Sequence, residues 1–578
     1  MSTRPLGHIL VAIASALILL ALVGQSLATV QAARQHAIAG NMYVVDSTAD
    51  TVDADVANPA CADASDQCTL RAAIMQANFV TGLDTITLPS GVYLLTRSGN
   101  DDAALVGDLD IADDLTIQGV GAGATIIDGN GAVINDRVFH VLRSPVCVQS
   151  VSMSALTIRN GRAPTTTFEP GGGLYHVGSG CSGGSNLSLS DVVVEGNTAY
   201  DGGGLFVNGT VFTLTRSIVR ANTAFNGGGL RADTSVPIIR DSQVYSNSAT
   251  QWGGGLMFDQ GGSFLPCLFG CLERTEIYSN TANSGGGLYN RDSVSVLTLV
   301  DSYVHHNHAR YDGGGIDNEY GGLLVISRTV LEANTADILG GGIRMEQVNR
   351  NGTASVQEST LSRNTAQYGG AIYAVGGTTT ILNSTLSSNG ASHDGGGIYA
   401  MDTARVLLYN ATIASNRLNR PTGQIYPARG GGVFITTTAI ITAQNTLIGD
   451  NARVSGLIQP VPDDCFVSPT TSLHSLGYNL VETTTNCFIS GLTFGNVNQD
   501  PKLGPLQNNG GSTPTQALMV GSPAIDAGHP SGCTYSIYGI SYPLMTDQRW
   551  FRRPIGTACD IGAFEHSPFA LDLPLIQR

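Results

Sequence analysis

A few groups of residues have the types and spacing that chemistry would need. Aspartates pair at Asp101-Asp102, Asp113-Asp114 and Asp463-Asp464. Two carboxyls that cleave a glycosidic bond must face each other at about 5–9.5 Å. Adjacent residues on a strand point to opposite faces, so these pairs read as solvated turns instead. A polysaccharide lyase would gather calcium-binding carboxylates from neighbouring coils beside a base, and Asp301, Asp312 and Asp317 with Arg310 come nearest to that. The run His305-His306-Asn307-His308 offers imidazoles. A turn at Asn307 separates His306 from His308, so the run reads as a solvent-facing corner rather than a metal site. Gly528-His529-Pro530 stands in for the Gly-His-Gly of polygalacturonase-like sites, without their Asn-Thr-Asp. The expectation is therefore no catalytic residue, no cofactor and no metal.

The elements that must position these residues are written far more plainly. Ten times between residues 171 and 433 a glycine pair or triplet precedes an aliphatic residue, usually five or six residues after an asparagine. Asn197-Thr-Ala leads to Gly202-Gly-Gly-Leu205, Asn280-Thr-Ala to Gly285-Gly-Gly-Leu288, and Asn364-Thr-Ala to Gly369-Gly-Ala-Ile372. Successive clusters lie mostly 25 to 32 residues apart, a period that marks a solenoid. Upstream residues alternate with the strand period of two, as in Val296-Leu-Thr-Leu299, and no repeat sustains a helical period. Each repeat thus predicts two or three short strands joined by Asn-Thr and Gly-Gly corners.

Stacking such repeats makes columns. Leu174, Leu205, Leu230, Leu256, Leu288, Ile316, Ile343, Ile372, Ile398 and Val433 are predicted to form one inward aliphatic column. Three residues before each asparagine, Val219, Val244, Ile277, Val304, Leu331, Leu361, Leu386, Ile413 and Ile448 supply further apolar positions. Asn197, Asn222, Asn247, Asn280, Asn307, Asn334, Asn364, Asn389 and Asn416 are predicted to form a structural ladder of stacked amides. A phosphate-binding glycine loop would need a single strand–loop–helix unit, and a calcium β-roll a nine-residue period. Neither fits. About 14 coils at ~4.8 Å would give a shaft of roughly 65 Å.

Residues 1–33 read as a secretory signal peptide, with Arg4, an apolar run from Ile9 to Val23, and small residues to Ala33. The ten cysteines fit an oxidising compartment and fall in local couples. Cys61 with Cys68, Cys147 with Cys181, Cys267 with Cys271, Cys465 with Cys487, and Cys533 with Cys559 are candidate structural disulfides, the connectivity being open at this stage. A net charge of −16 with one lysine, Lys502, excludes a nucleic-acid partner. A polar, weakly charged wall suits a polysaccharide or a host or cell-surface protein. The chain is expected to be a monomer.

Leu70, Ala73, Ile74 and Ala77 fall on one helical face that would plug the first coil, with coiling from about residue 83. The stretches Tyr43–Asp50, Cys68-Thr-Leu-Arg-Ala-Ala-Ile74 and Ala77-Asn78 resemble the CSLREA N-terminal module of bacterial surface β-helix proteins, with Thr69 in place of serine and Ala72 in place of glutamate. The Gly-Gly-Gly/Ala-Ile/Leu and Asn-Thr-Ala repeats resemble those of polymorphic outer-membrane-type proteins. Gly477–Leu480, Asp500–Leu506, Asn509–Gly511, Ser522–Gly528, Asp547-Gln-Arg549, Arg553-Pro554 and Asp560–Glu565 resemble the choice-of-anchor Q domain.

The resemblance implies an all-β chain, a right-handed parallel β-helix with a short N-terminal helical cap and an irregular C-terminal capping domain, displayed at the cell surface or secreted. It does not imply an activity. The expected divisions are 1–33 signal peptide, 41–145 N-terminal cap and first coils, 146–455 repeats, 456–566 C-terminal domain and 567–578 tail. The tail carries no Leu-Pro-x-Thr-Gly motif, so membrane association is expected only through the N-terminal segment or another anchor. The expected function is a non-enzymatic structural or adhesion rod that binds glycans. The alternative is a polysaccharide lyase or glycoside hydrolase acting on acidic polysaccharides.

Overall fold

The computed structural model describes residues 39–567, except 144–148, 179–184, 260–271, 292–295, 321, 347–352, 421–427, 456–458, 531 and 538–539. The signal segment lies outside these residues, and no described helix is long and apolar enough to cross a membrane.

Up to four strands per coil, set in four stacked sheets that are parallel apart from one antiparallel pair at the end of the third, carry the repeat. In one coil they are Thr210–Thr215 (sheet I), Ile218–Arg220 (sheet II), Thr223–Asn226 (sheet III) and Leu230–Asp233 (sheet IV). The sheets hold 16, 14, 10 and 13 strands. Alternation is visible in each: in sheet I Phe212 and Leu214 are buried, while Val211 is exposed and Thr213 and Thr215 are half-exposed.

Residues one repeat apart lie in register. In sheet IV Leu205 pairs Leu230, Leu230 pairs Leu256, Leu256 pairs Leu288, and Leu288 pairs Ile316. Every member of the aliphatic column from Leu174 to Val433 is at most 1% exposed. Val219, Val244, Ile277 and Val304 form a second column in sheet II. Filling the bore with aliphatics at about 1.5–3 kcal/mol per buried side chain is what a stack achieves and a lone coil does not.

At the N-terminus the helix Leu70–Phe79 starts at Thr69, whose hydroxyl accepts the Ala72 N–H, and buries Leu70, Ala73, Ile74 and Ala77. Strand pairing begins earlier than residue 83. Ala39–Val44 adds a parallel strand outside Leu83–Thr87. Fully buried Arg71 donates to Asp50 and to the carbonyls of Ala104, Gly107 and Asp108, which fastens the cap to the loop that follows.

The C-terminal segment docks along the flank of the rod as well as lying near its end. Sheet II positions that face outward are half-exposed at Gln243, Glu276 and Tyr303 but buried at Thr360, Ser362, Thr385, Ser387, Thr412 and Ala414. Residues 513–563 cover that stretch. Thr360 donates to the Pro514 carbonyl at 2.6 Å, Thr385 to Gln548 Oε1 at 2.6 Å, and Asn383 to the Thr546 carbonyl at 2.7 Å. Side chains shrink where the second layer lands.

Candidate functional site

The glycine corners join the end of sheet III to the start of sheet IV along one edge of the rod. Gly285, Gly286 and Gly287 show why three glycines are used. Gly285 has φ +64°; a Cβ on Gly286 would meet the His308 and Gly314 carbonyl oxygens at 2.5 and 2.6 Å; a Cβ on Gly287 would meet Asn307 Nδ2 at 2.9 Å. This tight corner aims the outward residues of sheet IV at the end of sheet III.

Register then stacks Tyr289, Asp317 and Arg344 in consecutive coils. The Arg344 guanidinium donates to both Asp317 oxygens at 3.0 and 3.2 Å and to Glu319 at 3.4 Å. It also pairs Glu346, and lies 3.8 Å from Asp312 on sheet III. The Tyr289 hydroxyl donates to Glu319. Asp317 is fully buried, which pushes its carboxyl up to about 7 even though Arg344 opposes the shift. A second cluster lies four coils away, about 19 Å at the strand spacing. There Arg231 bridges Asp201, Asp233 and Asp259 at 2.7, 2.9 and 3.2 Å. Between them Arg291 stacks over Trp252 and Tyr320.

The sequence-level grouping is therefore only half assembled. Asp312 and Asp317 do meet, but around Arg344. Arg310 stacks on Tyr311, and Asp301 pairs Arg328. Arg344 was missed because its strand lies one coil further along. Counting one repeat on from Asp317 would have found it.

The histidine run divides as the corner geometry demands. His306 has φ +53°, His305 Nε2 lies 3.0 Å from Glu276, and His308 Nε2 lies 3.0 Å from Asp337. Asn307 belongs to the ladder. Each ladder amide donates to the next Oδ1 at 2.9–3.0 Å from Asn197 through Asn416, and the run continues to Asn451. Each also donates to a backbone carbonyl, as Asn307 does to Ile277 at 2.9 Å.

The reading of Asp463-Asp464 as a solvated turn is corrected. Both are buried. Asp464 Oδ1 accepts the backbone N–H and side-chain amide of Asn451 at 3.1 and 2.9 Å and so closes the ladder, while Asp463 accepts the Gly430 N–H. The last rung needs only an acceptor, and a carboxylate is one. Asp113 and Asp114 likewise accept backbone N–H groups, from Gly82 and Ser150. The His529 backbone N–H donates to Asn445 Oδ1 at 3.0 Å, and its ring packs on Tyr478.

Disulfides join Cys61 to Cys68, Cys465 to Cys487 and Cys533 to Cys559, with Cα separations of 5.1, 5.3 and 5.7 Å. Cys147, Cys181, Cys267 and Cys271 lie outside the described residues. The most specific C-terminal motif residues also prove to be internal fasteners. Arg553 is buried against Glu565 and donates to Asn410 and the Gly562 carbonyl, and Arg549 pairs Asp547.

No curated protein matches the chain. Residues 230–413 match the family described as "Right handed beta helix region". A fold of this kind is compatible with surface proteins and with enzymes that act on polysaccharides. Registered columns, four stacked sheets and that match together make this chain a right-handed parallel β-helix protein.

Proposed function

We propose that the protein is an exported extracellular or surface rod whose sheet III–IV edge binds glycans without cleaving them. The observation that carries this reading is the position of Asp317. A glycosidase acid needs a raised pKa and access to the leaving oxygen. Asp317 has the first, but it is fully buried with both oxygens held by Arg344, so it has no route to a substrate. Structural ion clusters account for such a carboxyl without chemistry.

The side chains along this edge still suit sugar. Seven carboxylates (Asp201, Asp233, Asp259, Asp312, Asp317, Glu319 and Glu346) face three guanidiniums (Arg231, Arg291 and Arg344). Trp252 and Tyr320 flank Arg291. That balance favours neutral or amino-bearing glycans and repels uronans, which weighs against the acidic-polysaccharide enzyme. Disulfides support an oxidising compartment.

A glycan array probed with the purified chain, alongside assays for reducing ends and unsaturated uronate, tests the proposal. Binding to neutral or amino sugars, weakened by Asp312→Asn or Glu346→Gln and without turnover, is expected. Turnover of a uronan that Asp312→Asn abolishes would install the lyase reading instead.

A further inference from the structure

A third cluster lies apart from these, at the N-terminal end of sheet IV. Asp110 in strand Leu109–Ile111 pairs in register with His140 in strand Phe139–Val141. Asp110 Oδ1 lies 3.4 Å from His140 Nδ1, and Asp102 Oδ1 lies 3.7 Å from the same nitrogen. The three ligand atoms all fall within 4.8 Å of one another. Asp110 is 0% exposed, its Oδ2 accepts the Ala104 N–H at 2.9 Å, and its Oδ1 has no hydrogen-bond partner. A buried carboxylate oxygen left without a donor is costly unless something positive faces it. Arg137 does not, because it is engaged by Asp108 and Glu169.

The surroundings hold this geometry in place. Asp101 accepts the N–H groups of Ala103, Leu105 and Val106, which shapes the loop that carries Asp102. Arg71 grips the Ala104, Gly107 and Asp108 carbonyls from below. The His140 ring stacks on Tyr175 at 5.0 Å, which fixes its plane. Asp102 is 75% exposed, so the open side of the cluster faces water.

We propose that Asp102, Asp110 and His140 bind a divalent cation of the zinc class, which clips the 99–108 loop to sheet IV. One imidazole nitrogen and two carboxylate oxygens are ligands that zinc and its first-row neighbours accept. Ligand bonds of about 2.0–2.2 Å in tetrahedral array put ligand atoms about 3.3–3.6 Å apart, close to the 3.4 and 3.7 Å that separate His140 Nδ1 from the two carboxylates. Calcium asks for six to eight oxygens, more than this corner offers. The fourth position falls to water on the Asp102 side, and the role is structural. This inference stands apart from the glycan reading.

The test uses the tag-free mature chain, stripped with EDTA, then dialysed against micromolar Zn2+ and assayed for bound metal and melting temperature. Co2+ in place of Zn2+ reports the ligand set through its visible spectrum. The expected result is one bound Zn2+, a raised melting temperature, and loss of both in His140→Ala. Asp102→Asn, at an exposed position that folding does not need, should bind at least about tenfold more weakly. His308→Ala, on the far corner, should bind as the parent does. Absence of Zn2+ uptake by the parent, or uptake unchanged in both His140→Ala and Asp102→Asn, would mean that these three residues hold no cation and would overturn the proposal.

Discussion

A Cβ on Gly286 would lie 2.6 Å from the carbonyl oxygen of Gly314, its counterpart in the next coil. A Cβ on Gly286 would also meet the His308 carbonyl oxygen at 2.5 Å, whereas one on Gly287 would meet a single carbonyl oxygen, that of Gly315 at 2.7 Å, and then the Asn307 amide at 2.9 Å. The chain already carries Ala371 at the place equivalent to Gly287, fully buried, with the neighbouring Asn389 still bonded to Asn416. Ala371 shows that one carbonyl and a yielding side chain can be accommodated, whereas at Gly286 two carbonyls close on the Cβ. Gly286→Ala should therefore cost about 3 kcal/mol or more, and Gly287→Ala about 1–2 kcal/mol. Urea unfolding of the two variants distinguishes them, and equal losses would contradict the assigned obstacles.

The aliphatic column makes a sharper contrast. Leu288 is 0% exposed between Leu256 and Ile316. Leu288→Asp puts an unpaired charge there and should cost several kcal/mol or abolish folding. Arg291, more than a third exposed, stacks on Trp252 and Tyr320, so Arg291→Ala should cost about 0.5–1 kcal/mol rather than nothing. Similar melting temperatures would refute the column.

Ladder rungs differ by position. Asn307 both accepts from Asn280 and donates to Asn334 and the Ile277 carbonyl. Asn307→Asp keeps the acceptor but turns carboxylate oxygens toward two acceptors, and about 3 kcal/mol or more should be lost. Asp464→Asn keeps Oδ1 for Asn451 and loses only the bond from Thr483, about 1–2 kcal/mol. Identical chemical denaturation midpoints for the two exchanges would show that the terminal rung is not special.

Acidification should stabilise the rod. Burial raises Asp317, Asp464 and Glu565 to about 7 and Asp394, Asp463 and Asp560 to about 6. These folded-state values exceed the unfolded ones near 4, so their stabilisation is complete below about pH 4 and is lost as pH rises through 6 to 7. His176 works the other way. Burial lowers it to about 4, and its contribution is lost as pH falls below about 6.5. Six carboxyls outweigh one imidazole, so the melting temperature should climb as pH falls from about 8 and level off near about pH 4. A flat profile, or one that climbs above pH 7, would contradict these burials.

Much of this was legible because repetition broadcasts it. Leu288 and Asn307 could be placed from spacing alone, since each appears in nearly the same frame many times. The Arg344 cluster was not, because Asp312, Asp317 and Arg344 each occur once and meet only after the register is known. Asp464 was misread for a related reason: a local pair of carboxyls looks solvated until the rung beneath it is seen to need an acceptor. The lateral docking of the C-terminal segment left a trace in the sequence, the change from Glu276 and Tyr303 to Thr385 and Thr412 along one outer column. Its meaning depends on a partner more than a hundred residues away.

Gln548 concentrates that docking. Its Nε2 reaches Thr360 Oγ1 and Thr513 Oγ1 at 2.9 Å each and the carbonyls of Ser359 and Pro514 at 3.2 Å, while its Oε1 accepts from Thr385. The residue is 0% exposed, and it ties the outer column of two coils to two separate parts of the C-terminal segment. Gln548→Ala strands those groups under a layer that excludes water, at about 2–4 kcal/mol, and none of that cost falls on the coils themselves. Local opening should follow, because the clasp holds fewer apolar contacts than the bore. Limited proteolysis should then cut near residue 500 and release the C-terminal fragment, while the thermal transition of the coils moves little. If Gln548→Ala resists protease as the parent does, the clasp is held by its apolar contacts around Leu447, Leu518 and Ile561 rather than by this amide.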